Sequence, residues 1–179
     1  SPHYGEEVGI ELERAIDSLG AKFVKIYPDY VGLPLEDVIW HPIFDWVNER
    51  GLAIMTHARL AHVPDMQMTI TDKFRMLSDR YPNIKWVMAH SAGSADPDAI
   101  NASSILPNVY METCSSSGTV RAIEDCVAGA GEENILFGTD IPLLDPRHQI
   151  AKVITAKISD DSKRRILGLN AIELLGLEC

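Results

Sequence analysis

Five short apolar segments, 22–27, 53–57, 85–90, 108–113 and 135–139, end 23 to 33 residues apart, with longer amphipathic stretches between them. One strand plus one crossover helix fills such a repeat, so the spacing predicts βα units and a parallel sheet. Parallel neighbours cannot be joined by a tight turn, because the chain must return to the same end of the sheet. The intervening stretches carry helix signals. Val8, Leu12, Ala15, Ile16 and Leu19 lie at helical spacing from Glu6 to Leu19, and Gly20 ends that run. The segment from Leu35 through Arg50 stops at Gly51, and Phe74, Leu77 and Tyr81 form a stripe before Pro82-Asn83. Asp96 and Asp145 each precede a proline, the pattern of a capping carboxylate and a first-turn proline. Ser159 or Asp160 caps 161–169, and 170–177 closes the chain. No linker or low-complexity tract divides the 179 residues, which predicts a single domain over 1–179.

Three strand-like segments stop on His57, His90 and, in Gly138-Thr139-Asp140, a carboxylate. Ligands of α/β folds bind at the carboxyl ends of the strands, so these residues suggest a metal-assisted acid–base site. By alternation, Ala53, Met55 and His57 share a face, as do Trp86, Met88 and His90, and Leu136, Gly138 and Asp140. Each residue has functional readings and a structural one. His57 is a metal ligand or a structural cap. His90, before the small-residue turn Ser91-Ala92-Gly93-Ser94, is a ligand, a proton shuttle, a clamp on negative charge or a satisfied core histidine. Asp140 is an Asx turn before Pro142, or a carboxylate that ligates a metal and takes a proton from bound water.

Around these lie further candidates. Lys25 and Tyr27 end the first strand and could point inwards, Lys25 pairing with a carboxylate such as Glu112. Glu112 alternates with Val109, Met111 and Thr113, which places it near the site. Arg59 could hold a substrate carboxylate with its planar fork, or lie on the surface. His41 and His148 read as a helix-start and a solvated residue, His62 as a pocket-lining one, and His3 as terminal. The serine-rich turn 115–118 could take an anion or be a solvated loop. Neither a dinucleotide fingerprint, nor a phosphate loop, nor a nucleophile elbow occurs.

A net charge of −10 argues against nucleic acid and anionic membrane surfaces as partners. The acidic Ser1–Glu7 segment has no leader character, and no apolar run approaches a membrane span. Cys114, Cys126 and Cys179 lack metal-type spacing, and reduced thiols in a cytoplasmic protein are the expectation.

Six motifs then occur in order: Lys-Ile-Tyr-Pro (25–28), Thr-His-Ala (56–58), Met-Ala-His-Ser (88–91), Asn-Val-Tyr-Met-Glu-Thr (108–113), Ile-Leu-Phe-Gly-Thr-Asp (135–140) and Asn-Ala-Ile-Glu-Leu-Leu-Gly (170–176). Together they resemble amidohydrolase family 2, which includes metal-dependent hydrolases and aminocarboxymuconate-semialdehyde decarboxylase-like enzymes. The resemblance implies a (β/α)8 TIM-barrel fold of which this sequence carries about five βα units, strands four to eight. A full barrel runs to roughly 250 residues, so about three units are expected to be absent, by truncation or because a partner completes the fold. It implies His57 and Asp140 as ligands of a divalent ion, zinc being the one expected, with His90 and Asp140 catalytic. From the residues themselves, Arg59, Tyr27 and Glu112 are the candidates to bind a small-molecule substrate. Tyr27 stands where the family often has histidine, and the family's His-x-His pair occurs nowhere here. Open sheet edges lead to the expectation of a homo-oligomer. The primary expectation is hydrolysis of a carbonyl-containing substrate by metal-activated water. Non-oxidative decarboxylation at the same site is the alternative, a catalytically incomplete fragment the third reading. A doubly wound, flavodoxin-like sheet is the competing fold.

Overall fold

The computed structural model of the chain describes residues 1–58, 68–116 and 119–178; Arg59 and His62 lie outside the described residues. Its strands are β1 (Phe23–Lys25), β2 (Ala53–His57), β3 (Lys85–Ala89), β4 (Val109–Glu112) and β5 (Ile135–Leu136). The α-helices are α1 (Glu7–Glu13), α2 (Pro28–Val31), α3 (His41–Arg50), α4 (Ile70–Arg80), α5 (Pro97–Ile105), α6 (Ala122–Ala130), α7 (Pro146–Thr155), α8 (Asp160–Arg164) and α9 (Asn170–Leu175).

All four pairings are parallel, and the strand order is β1-β2-β3-β4-β5. A doubly wound sheet must reverse its order at a switch point. This one never reverses, so it has the barrel arrangement, and β1 and β5 form the two edges of the sheet.

Register separates two faces. Ile54 lies beside Trp86, and Thr56 beside Met88 and thence Met111 and Ile135. These side chains are essentially inaccessible and face the helices. Trp86 is their centre, meeting Phe44 of α3 at 5.1 Å and Phe74 of α4 at 6.2 Å. The other face carries Lys25, Met55, Val87 and Tyr110, then His57, Ala89, Glu112 and Leu136. Trp86 and Met88 therefore do not share a face with Met55 and His57, contrary to simple alternation back from His90. The expectation fails because the alternation is broken at residue 90 itself.

The C-terminal helix closes the lower end of the inner face. Leu174 packs with Ala53, Val87 and Leu136. The Lys85 ammonium donates to the Leu174 carbonyl at 2.8 Å, a cation at a helix C-terminus where carbonyls lack intrahelical partners. Asn170, nearly buried, donates to the carbonyls of Glu132 and Ile135 at 2.6 and 2.7 Å and so fixes α9 against β5.

Capping follows the sequence closely. Asp96, Asp145 and Ser159 accept from the first-turn amides of α5, α7 and α8. The start of α4 is satisfied twice over. Thr69 Oγ1 accepts from the Asp72 amide at 3.0 Å. The Asp98 carboxylate, reaching from α5, accepts from the Ile70 and Thr71 amides at 2.5 and 3.2 Å and from the Thr71 hydroxyl at 2.5 Å. A negative charge at a helix N-terminus also favours the dipole. Asp98→Ala is expected to cost about 2–3 kcal/mol, since charge-assisted bonds are lost together. Thr69→Ala, removing one neutral cap, should cost only about 1 kcal/mol. Urea unfolding of the two variants checks the ranking; a Thr69 effect at or above that of Asp98 would contradict it.

Candidate active site

His57 ends β2, and its neighbours come from the next turn of each adjoining unit. Its ring packs against Tyr27 at 4.3 Å and edge-on against His90 at 4.9 Å, and Tyr27 stacks on Tyr30 at 4.0 Å. Its Nδ1 lies 3.5 Å from Asp29 Oδ2, a side chain only 7% exposed. Asp29 is in place because Pro28 starts α2 directly after Tyr27, turning the chain back over the strand end. A carboxylate on one ring nitrogen of histidine leaves the other for a ligand.

His90 follows β3. Lys85, Val87 and Ala89 point inwards, so continued alternation would send residue 90 towards the helices. Instead His90 adopts φ +63°, in the left-handed region, and its ring comes to His57. An L residue there costs roughly 1–2 kcal/mol. The His90 amide donates to Glu112 Oε2 at 2.9 Å, a charge-assisted bond on the order of 1.5–3 kcal/mol that offsets the strain. The turn 91–93 is packed, not loose. Ser91, Ala92 and Gly93 are buried, Ser91 Oγ donates to the Met88 carbonyl at 2.7 Å, and a Cβ on Gly93 would lie 2.5 Å from the Thr113 oxygen.

Glu112 sits on the inner face as expected, but buried. Oε1 accepts from the Cys114 amide at 2.5 Å, and Oε2 lies 3.4 Å from His90 Nδ1. Gly138 makes room for it: a Cβ there would overlap Glu112 Oε1. The expected Lys25–Glu112 pair does not form among the described residues. Three strand spacings of about 4.8 Å separate β1 from β4, and Lys25 instead sends its positive field towards both histidines. Asp140 is exposed at φ +52°, and its negative field reaches His57, His90 and Tyr27.

Burial holds both imidazoles below the ordinary histidine range. For His57 the Lys25 charge adds to this and Asp29 and Asp140 oppose it; for His90 Glu112 is the chief opposing charge. Both rings are therefore neutral at neutral pH, the form that ligates metals or accepts protons. His57, Ala58, Ile70, Ala89, His90 and Ser91 line a cavity of about 150 Å³. A larger cleft of about 600 Å³ lies between α1, β1 and α3, and it includes Lys25 and Tyr27 but neither histidine. The smaller cavity is the one that holds both imidazoles.

His90, Glu112 and Cys114 bring donor atoms within 4.8 Å of one another. Both Glu112 oxygens already hold amides, and burial pushes the Cys114 thiol up to about 12, so this cluster is a hydrogen-bonded scaffold first. The structure thus brings together His57, His90, Tyr27 and Glu112, with Asp140 at the rim. Asp29 was not among the sequence candidates. The Pro28 helix start in Tyr-Pro-Asp-Tyr was the available signal for it.

The family model described as Amidohydrolase matches residues 1–177. A curated relative, 2-amino-3-carboxymuconate-6-semialdehyde decarboxylase of Dictyostelium discoideum, is 27% identical over 94% of this chain and 57% of its own length. An uncharacterized TIM-barrel protein from Bordetella bronchiseptica superposes with a TM-score of 0.77 at 19% identity, covering 93% of this chain and 61% of that one. The 5-carboxyvanillate decarboxylase of Sphingomonas paucimobilis gives 0.71 at 19% identity, covering 99% and 65%. A dihydroxybenzoic acid decarboxylase from Polaromonas, with bound manganese and the inhibitor 2-nitroresorcinol, gives 0.64 at 17%, covering 94% and 64%. The chain thus spans 57% of the curated relative's length and 61–65% of these structures'. The structural likenesses establish the barrel-type fold.

The buried thiols give a direct check of the site's dryness. Burial pushes both Cys114 and Cys126 from 9.0 up to about 12. The thiolate fraction below that range falls on the order of a thousandfold, and only thiolate reacts. Native protein at pH 8 should leave both unalkylated by iodoacetamide in peptide mapping, and denatured protein should label both. Rapid native labelling of Cys114 would show an open, wet site.

Proposed function

The chain belongs to the amidohydrolase family, and from that premise we propose that it serves a metal-dependent, non-oxidative decarboxylation of a small unsaturated or aromatic carboxylate. The observation that carries this is the pair of half-buried imidazoles 4.9 Å apart, both held below the ordinary histidine range by burial, one backed by Asp29 and the other by Glu112. Hydrolysis, the first expectation from sequence, gives way to its alternative. The curated relative and two of the three structural neighbours carry decarboxylase names.

His57 and Asp140 would hold the divalent ion. The donor set is a partial fit: burial favours neutral His57, Asp29 faces its Nδ1, and the exposed Asp140 carboxylate acts on it electrostatically, which makes two of the three protein ligands a catalytic zinc usually takes. Zinc is the ion the family resemblance suggests, and manganese is the one bound in the Polaromonas neighbour. When bound, the ion supplies positive charge that holds the substrate carboxylate and steadies the negative charge left as carbon dioxide departs. His90 handles the proton. The bond from carbon to carboxylate breaks, its electron pair stays on that carbon, and a proton that Nε2 of the resting, neutral His90 first takes up from solvent is delivered there. Asp140 is its acid–base partner at the rim. Tyr27, stacked with the exposed Tyr30, offers a flat aromatic wall, and Arg59 is the proposed carboxylate clamp.

Carbon dioxide release from 5-carboxyvanillate, 2,6-dihydroxybenzoate and 2-amino-3-carboxymuconate-6-semialdehyde, with manganese or zinc supplied, tests the reading. Release from at least one is expected, abolished by chelation and restored by the metal. His90→Asn should lower kcat by roughly 10²–10⁴, and His57→Ala should lose bound metal by elemental analysis. Turnover without carbon dioxide, or full activity after chelation, would refute it.

A further inference from the structure

Glu112 is the buried carboxylate that the proton transfer above leaves without a part. Its side chain is 4% exposed, and an ionised carboxylate so placed is stable only with donors around it. The two amide donors belong to different strand ends, His90 after β3 and Cys114 after β4. One side chain therefore ties two catalytic-edge turns together. It also faces the ring of the residue whose backbone it holds, because the same Oε2 lies 3.4 Å from His90 Nδ1.

That second approach has a chemical consequence. His90 Nδ1 is buried and has no aligned hydrogen-bond partner among the described residues. A lone pair on Nδ1 would face a carboxylate oxygen and be repelled, whereas an N–H there would be attracted. Catalytic hydrogen bonds are often long before substrate binds and shorten in the complex. The left-handed φ of His90 and the missing side chain of Gly138 serve the same arrangement, one bringing the ring in and the other admitting the carboxylate.

We propose that Glu112 is a positioning residue that fixes both the left-handed backbone of His90 and its Nδ1–H tautomer, leaving Nε2 free for the substrate proton. The catalytic consequence rests on the decarboxylase reading; the tautomer does not. A glutamine at this position can accept from only one of the two amides and turns an NH2 towards the other. Alanine at 138 disturbs the same carboxylate while leaving its charge in place.

The test is 15N NMR of histidine-labelled protein at pH 8, with His90 assigned by its absence in His90→Asn. Wild type should show His90 protonated on Nδ1. Glu112→Gln and Gly138→Ala should each lose that signature and lower kcat roughly tenfold to a hundredfold, with KM within about twofold, as outer partners of catalytic histidines do. An Nε2–H tautomer in wild type overturns the proposal and needs no variant to fold. So do folded variants with unchanged tautomer and kcat. If wild type releases no carbon dioxide from any probe, the decarboxylase reading falls while the imidazole spectrum still decides the role of Glu112.

Discussion

The register of β2 against β3, Ala53 beside Lys85 through His57 beside Ala89, sets which way His57 faces and where β3 delivers His90. Side chains alternate with a period of two, so a slip of one residue would send His57 into the helix layer and Thr56 to the active edge. The slip is prevented on the other face. Ile54, Trp86, Thr56 and Met88 are fully buried against α3 and α4, and exposing that set to the inner face would leave Trp86 without its aromatic partners. The apolar layer on the helix side is thus what aims the His57 imidazole, while the left-handed backbone at residue 90 aims the second.

On that frame the site is a balance of unequal charges at small separations. Burial alone would leave two uncharged rings. Lys25 reinforces this, while Asp29, Glu112 and Asp140 oppose it from three directions. The carboxylates differ in what else they do. Glu112 is buried and engaged by amides, Asp29 is nearly buried against a ring, and Asp140 is exposed and available. Their division of labour follows from burial and does not depend on residue type.

Much of this is legible in the sequence, for identifiable reasons. The repeat length required parallel pairing, and proline after aspartate located the starts of α5 and α7 because both residues act within one helical turn. The strand ends at His57 and His90 could be read because apolar runs stop where the core stops. Other features depend on contacts far apart in the chain. The reach of Asp98 to α4 spans 27 to 28 residues, and the glycine at 138 has meaning only beside Glu112. The alternation from Trp86 to His90 misled because a single left-handed residue reverses the facing, and nothing in Ala-His-Ser signals it.

His90 and Asp140 share an unusual trait: both are non-glycine residues held at positive φ. Glycine would relieve the backbone at either position while deleting the side chain proposed to do the chemistry. Thermostability and turnover therefore pull in opposite directions at these two residues. Selection of this chain for heat resistance alone would drift towards a sturdier protein without those side chains.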